Sequence, residues 1–178
     1  FRGRIVFPIT NAQGQVIAFG GRSLGPSKPK YINSPETEIF RKGRALYNLS
    51  QARGEAHRSK IIIVAEGYMD VIALHRAGFK NAVAPLGTAL TEDQILQLWR
   101  YAPEPILCFD GDEAGIRAAR RAAERTLPNL KAGISLDLPP VAIIILFAVI
   151  IFPFDIILIN DNPSVLFPHA LSPAIPTD

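Results

Sequence analysis

Cysteine is almost missing: the 178-residue chain holds one, Cys108. A lone thiol excludes an internal disulfide and any zinc site built from several cysteines of this chain, and it suits a reducing cytoplasm. Histidine is scarce too. His57, His75 and His169 show no H-E-x-x-H or paired spacing, so they read as structural or solvated. Basic residues are absent from the last quarter, where residues 134–178 hold no Lys or Arg and four Asp. All 19 Lys and Arg fall in residues 1–133 with 12 of the 16 acids, so a front part of net +7 precedes an end of net −4. A basic front suits a polyanionic partner such as nucleic acid or nucleotide, although charge alone describes a solvated surface at least as well. Long apolar runs are lacking as well. Residues 141–152 are twelve apolar residues in a row, short of the roughly 17–25 that cross a bilayer. Extending that run to Ile159 takes in Pro153 and Asp155. The opening "FRGRIVFPIT" has no basic leader ahead of a long apolar run, which argues against a signal peptide, and it reads as the middle of a longer protein.

What is present has a clear order. Ile5-Val6-Phe7 and Val16-Ile17-Ala18-Phe19 flank Asn11-Ala12-Gln13-Gly14, which predicts two strands and a turn with Gly14 at positive φ. Residues 23–59 are poor in apolar side chains and rich in Pro, Lys, Arg and Ser. They predict mostly irregular backbone, with a short strand near Ala45-Leu46-Tyr47 and a helix over 49–58. From residue 60 the pattern changes. "KIIIVAE" is a continuous β-branched run, the mark of a strand buried on both faces. Met69, Ile72, Ala73 and Arg76 then fall at helical spacing, with Gly78 as a stop. "NAVAPLG" is a second short strand, and "TEDQILQLWR" opens a helix with Thr91 and Gln94 in capping-box positions and Ile95, Leu98 and Trp99 on one face. "PILCF" is a third buried strand, followed by an Ala- and Arg-rich helix from about Glu113 to Leu127. Strands alternating with helices predict a parallel α/β layer. Residues 134–178, with seven prolines, leave that alternation.

Three acids take comparable places. Glu66 ends one predicted strand, and Asp110 and Asp112 follow another. In open parallel sheets ligands gather outside the carboxyl ends of strands, and Asp70, one helical turn past Glu66, can point at the same space. Clustered carboxylates repel unless a cation lies between them. Oxygen donors of this kind suit Mg²⁺, which shares its shell with water and substrate phosphates and serves in-line phosphoryl transfer. The plainer reading of "DGD" is an Asp-Gly turn with Asp112 capping the next helix. An EF-hand is excluded, because its fifth and twelfth positions would be Ala114 and Arg121. The second acidic strand end, "VAEGYMD", favours the metal reading.

These residues carry a resemblance. "AEGYMDVIALHRAGFKNAVAPLGTALTEDQ" followed by "DGDEAGIRAARRA" resembles the Toprim module of bacterial DnaG-type DNA primases. "PKYINSPETEIFRKGRALYNLSQAR" looks like the basic segment that precedes Toprim there, and the likeness covers about residues 2–133. A Glu with DxD alone would also suit topoisomerases, recombination factors and small nucleases.

The resemblance implies an α/β fold: a Toprim-type parallel-sheet domain over 60–138, preceded by a small mixed α+β basic subdomain over 1–59 and followed by an atypical apolar tail over 139–178. It implies Glu66 as metal ligand or general acid-base, Asp110 and Asp112 as metal ligands, and Asp70 as a supporting acid. The cofactor implied is Mg²⁺ or Mn²⁺. Arg22, Lys30, Tyr31 and Lys42 would contact nucleotide or template, since Lys and Arg neutralise phosphates and Tyr31 can stack on a base. Lys28, Arg41 and Arg44 divide evenly between substrate contact and solvation, while Arg117, Arg120, Arg121 and Arg125 read as a solvated face. The implied activity is cytoplasmic synthesis of short RNA primers from NTPs on single-stranded DNA, with a replicative helicase as partner of the full-length family and no membrane. The rival expectations are another Toprim enzyme, nuclease or topoisomerase-like, and a catalytically silent nucleic-acid-binding module.

The chain also departs from the family pattern. One cysteine cannot build the zinc module that the family carries ahead of this region, and no acidic pair follows residue 138, where Asp155 and Asp161 stand singly. The loss of Lys and Arg with the jump in Ile, Phe and Pro suggests a frameshifted or foreign tail. The expected outcome is that another reading frame of the coding DNA after about residue 134 encodes an acidic turn and a helix-rich continuation; two uninterpretable frames would refute this.

Overall fold

The computed structural model describes residues 1–129 apart from Ser27 and Thr88. The expectations for 130–138 and for the tail therefore lie outside the described residues.

Two sheets make the described structure. In the first, β1 (Arg4–Thr10) and β2 (Val16–Ser23) pair antiparallel with Phe7 opposite Gly20. The turn between them is closed by Asn11, whose Oδ1 accepts the backbone N–H groups of Gln13 and Gln15, both at 3.0 Å. Gly14 takes φ 89°, as its place in the turn predicts. A third strand, β3 (Tyr31–Asn33), lies antiparallel on β2 inside the stretch expected to be mostly irregular. Three residues are too few to show an alternating pattern, and this strand exists because β2 offers it a free edge.

The second sheet has the order β4-β6-β5-β7, from β4 (Leu46–Tyr47), β5 (Ile61–Ala65), β6 (Ala82–Pro85) and β7 (Glu104–Cys108). β5 is flanked in parallel by β6 and β7, and β4 closes the β6 edge antiparallel. Helices α1 (Leu49–Ser59), α2 (Tyr68–Arg76), α3 (Glu92–Leu98) and α4 (Glu113–Thr126) cover it. Side chains of β5 alternate between two cores, as the pleat requires. Ile62 and Val64 join Ala52, Ile95, Leu98 and Ala122 on the α1, α3 and α4 side, whereas Ile63 and Ala65 meet Val71 and Leu74 of α2. β4 and α1 come from before residue 60 and β5 from after it, so elements on both sides of that border build one layer.

One helix follows its local reading and another departs from it. α3 carries the expected capping box, with Thr91 accepting from the Gln94 N–H and Gln94 accepting from the Thr91 N–H at 3.0 Å. α2, however, buries Tyr68, Val71 and Leu74, and leaves Met69 36% exposed. The apolar stripe is shifted by one residue because the helix starts at Tyr68, whose ring is claimed by a third core.

That third core joins the sheets. Phe7, Ile9 and Ala18 of the first meet Phe40, Tyr68 and Leu86. The Tyr68 ring stacks on Phe7 at 5.1 Å between centroids and meets Tyr47 edge-on at 4.8 Å. Truncating such a ring leaves a cavity that neighbouring backbone cannot fill. Tyr68→Ala should lower the unfolding free energy by about 3–5 kcal/mol in urea titration; a loss below about 1 kcal/mol would contradict this packing.

Candidate functional site

The parallel register of β5 and β7 pairs Ala65 with Cys108, so Glu66 and the Asp110–Asp112 turn leave the sheet at one edge. Their meeting is direct. The Asp110 backbone N–H donates to Glu66 Oε1 at 2.9 Å, across 44 positions of sequence. Asp70 lies beside them, with Oδ2 accepting the Gly67 N–H at 2.9 Å. Asp112 is the N-cap of α4, its Oδ1 accepting the Gly115 N–H at 2.8 Å. The capped-bend reading of "DGD" is thus correct for this oxygen, and it coexists with convergence of the acids.

The electrostatics bear the marks of a crowded anionic edge. Burial pushes the Glu66 carboxyl above its ordinary range, repulsion from Asp110 and Asp112 adds to this, and the Asp110 N–H partly offsets it. Burial likewise raises Asp70 to about 6, against the Gly67 hydrogen bond and together with repulsion from Asp110 and Glu66. Below the edge, burial followed by the charges of Asp70, Asp110 and Glu66 lifts the Cys108 thiol to about 11. None of the four acids joins an ion pair among the described residues. Oxygen donors, mutual repulsion and no neutralising Lys or Arg fit a hard divalent cation. Among the described residues no three His, Cys, Asp or Glu side chains lie close enough to hold an ion unaided.

The basic candidates lie on β2, β3 and the turn between them. Arg22 and Tyr31 are cross-strand partners, so their side chains share a face, and Arg22 Nε donates to the Tyr31 hydroxyl at 3.1 Å. Lys30 Nζ stands 5.8 Å from the Tyr31 ring centroid. The Tyr31 ring lies 6.4 Å from that of Tyr68, two residues from both Glu66 and Asp70. Lys42 is placed differently. Its described contacts are backbone ones, an N–H to Glu36 Oε1 at 2.9 Å and a carbonyl taken by Gln94 Nε2 at 3.0 Å, which tie its loop to the start of α3.

Sequence reasoning missed three residues of this region. Gly115 is the first: a Cβ there would stand 1.9 Å from the Asp110 carbonyl oxygen and 2.9 Å from Glu66 Oε1. Only glycine lets the start of α4 close onto the acidic turn. Tyr68 and Asn33 are the others, joined by a hydrogen bond from the Tyr68 hydroxyl to Asn33 Oδ1. A glycine in the first turn of a helix that follows an acidic bend is the one signal that was available.

The fold and its carboxylate edge define a Toprim-type domain with a basic antiparallel sheet docked on it. The family described as the Toprim domain matches residues 60–136, and that described as the DNA primase catalytic core, N-terminal domain, matches residues 1–53. The DNA primase of Pseudomonas aeruginosa is 56% identical over 133 residues, 75% of this chain and 20% of that protein. The DNA primase of Escherichia coli K12 is 51% identical over 133 residues, 75% of this chain and 23% of that protein. Among solved structures, a DNA primase domain from Pseudomonas aeruginosa superposes with a TM-score of 0.74 at 54% identity, covering 78% of this chain and 43% of that one. A DnaG primase catalytic domain bound to single-stranded DNA does so with 0.71 at 49%, covering 78% and 44%. The chain belongs to the bacterial DnaG-type DNA primases. It spans about a fifth of the length of the curated relatives it matches.

Two outcomes follow from this geometry. Gly115→Ala should cost about 1–3 kcal/mol of stability and displace the Asp110 turn, detectable by denaturation and by amide shifts at 110; unchanged shifts would refute the close approach. The second concerns pH. The folded state holds the Asp70 proton more tightly than the unfolded chain, whose Asp titrates near 3.8, up to about 6. In metal-free buffer the Asp70 contribution therefore falls as pH rises through that window and is level above it. Asp70→Asn should flatten this slope while keeping an acceptor for the Gly67 N–H; an unchanged profile would show that the acid is not perturbed.

Proposed function

We propose that this chain is the part of a primase core that brings NTPs, divalent metal and single-stranded DNA template together for primer synthesis. The observation that carries the reading is the contact between Glu66 and the Asp110 backbone. It brings acids from two strand ends to one edge, beside β3, which bears Tyr31 and is preceded by Lys30. The likeness to DNA primases and to primase domains, one of them bound to single-stranded DNA, supports the same activity.

In this reading the edge formed by Glu66, Asp110 and Asp112 takes Mg²⁺ or Mn²⁺, with one or two of these carboxylates bound directly, water and phosphate oxygens completing the shell, and Asp70 as a supporting acid. When bound, the metal lowers the barrier to nucleotidyl transfer by stabilising charge on the attacking 3′-oxygen and on the departing pyrophosphate. The chain's own groups do the rest. Arg22, Lys30 and Lys42 neutralise phosphates, and Tyr31 offers a ring face to a base. Asp112, as helix cap, keeps the acidic turn in one conformation. The growing RNA primer would lie between the two sheets' contributions, in the cytoplasm, and a replicative helicase would join through other parts of the full-length protein. The described residues contain no helix long and apolar enough to cross a membrane. No observation favours a Toprim nuclease, a topoisomerase-like enzyme or a silent binding module.

In the full-length parent, Asp110→Ala should reduce primer synthesis by at least about 100-fold with an unchanged thermal midpoint. Retained synthesis would sink the metal role. Lys30→Ala should lower the salt slope of template binding by about one.

A further inference from the structure

The acids of the proposed site sit on the second sheet and the basic strand on the first. Tyr68 and Asn33 span the gap. Tyr68 opens α2 between Glu66 and Asp70, and its hydroxyl donates to Asn33 Oδ1 at the end of β3. Asn33 uses the other end of its amide as well, donating through Nδ2 to the Leu86 carbonyl at 3.3 Å, just past the carboxyl end of β6. β3 is therefore fastened at two points to the edge where the acids emerge.

The surroundings make this a specific fit. Gly20 is the cross-strand partner of Asn33, and a Cβ on it would stand 2.5 Å from the Tyr68 hydroxyl. Only a glycine there lets the hydroxyl reach across. Tyr31, two residues before Asn33 in β3, shares its face and holds its ring 6.4 Å from that of Tyr68. Meanwhile Phe7 and Tyr47 fix the ring from other sides. Packing thus settles where the ring lies, and the hydroxyl adds the hydrogen bond that ties it to β3. With its phenol pushed up to about 12 by burial first of all, the group stays a donor at every working pH.

We propose that Tyr68 is a positioning residue: acting through Asn33, it holds β3 with Lys30 and Tyr31 at the spacing from the carboxylate edge at which both meet one metal-bound nucleoside triphosphate. The inference rests on the reading of the site given above. It assigns Tyr68 no contact with metal or substrate; its effect travels through the strand.

The test uses the whole chain, with Mn²⁺ binding followed by electron paramagnetic resonance and ATP binding measured at saturating Mn²⁺. Tyr68→Phe keeps the ring and removes the tie. It should leave the affinity for Mn²⁺ alone unchanged and weaken ATP about fivefold, and Asn33→Ala, which also removes the tie to the Leu86 carbonyl, should weaken ATP at least as much. In a Lys30→Ala, Tyr31→Ala background, Tyr68→Phe should weaken ATP no further, since the groups it positions are gone. An equal further loss there would mean general destabilisation and overturn the proposal, as would wild-type ATP affinity in both single variants. A wild-type chain that binds Mn²⁺ but no ATP refutes the positioning role while leaving the acidic edge intact. One that binds neither refutes the reading of the site and the clamp together.

Discussion

The candidate site depends on carboxylates being brought together at one edge of a sheet. Isolated in water, Glu66, Asp70, Asp110 and Asp112 would avoid one another. The parallel pairing of β5 with β7 overrides that repulsion, because both strands are buried by apolar side chains and their register brings the two strand ends level. Backbone N–H groups then soften the result: Asp110 to Glu66, Gly67 to Asp70, Gly115 to Asp112. The core stabilises the fold, and the edge keeps the mutual repulsion that lifts Glu66 and Asp70 above their ordinary range.

A second constraint is the union of two sheets. Neither offers the full set of candidate groups, since Arg22, Lys30 and Tyr31 stand with the first sheet and the acids with the second. The aromatic core of Phe7, Tyr47 and Tyr68 holds them, and the absence of side chains at Gly20 and Gly115 lets backbone and ring approach closely. Small residues at these points serve the site by leaving space.

Much of this was legible in advance. The β-branched run 61–65, the capping box at Thr91 and the turn at Gly14 state their structures locally, because each signal lies within one element. The face of α2 was misplaced by one residue, since Tyr68 owes its burial to Phe7 and Tyr47 rather than to its own helix. β3 was hidden for a similar reason: Tyr31–Asn33 pairs with Gly20, Gly21 and Arg22, and no pattern within three residues announces a partner strand.

By itself, then, the chain's order of residues determined the alternating α/β layer, the acids at the strand ends and the basic segment ahead of them, because periodicity and end-of-strand position are short-range properties. Only the tertiary structure decided that Glu66 touches Asp110, that Tyr68 reaches Asn33, and that Lys42 belongs to a loop held by α3. Those contacts join residues 35 to 52 positions apart. Strand register and the close fit of glycine against ring and carbonyl set them, and both are properties of packing.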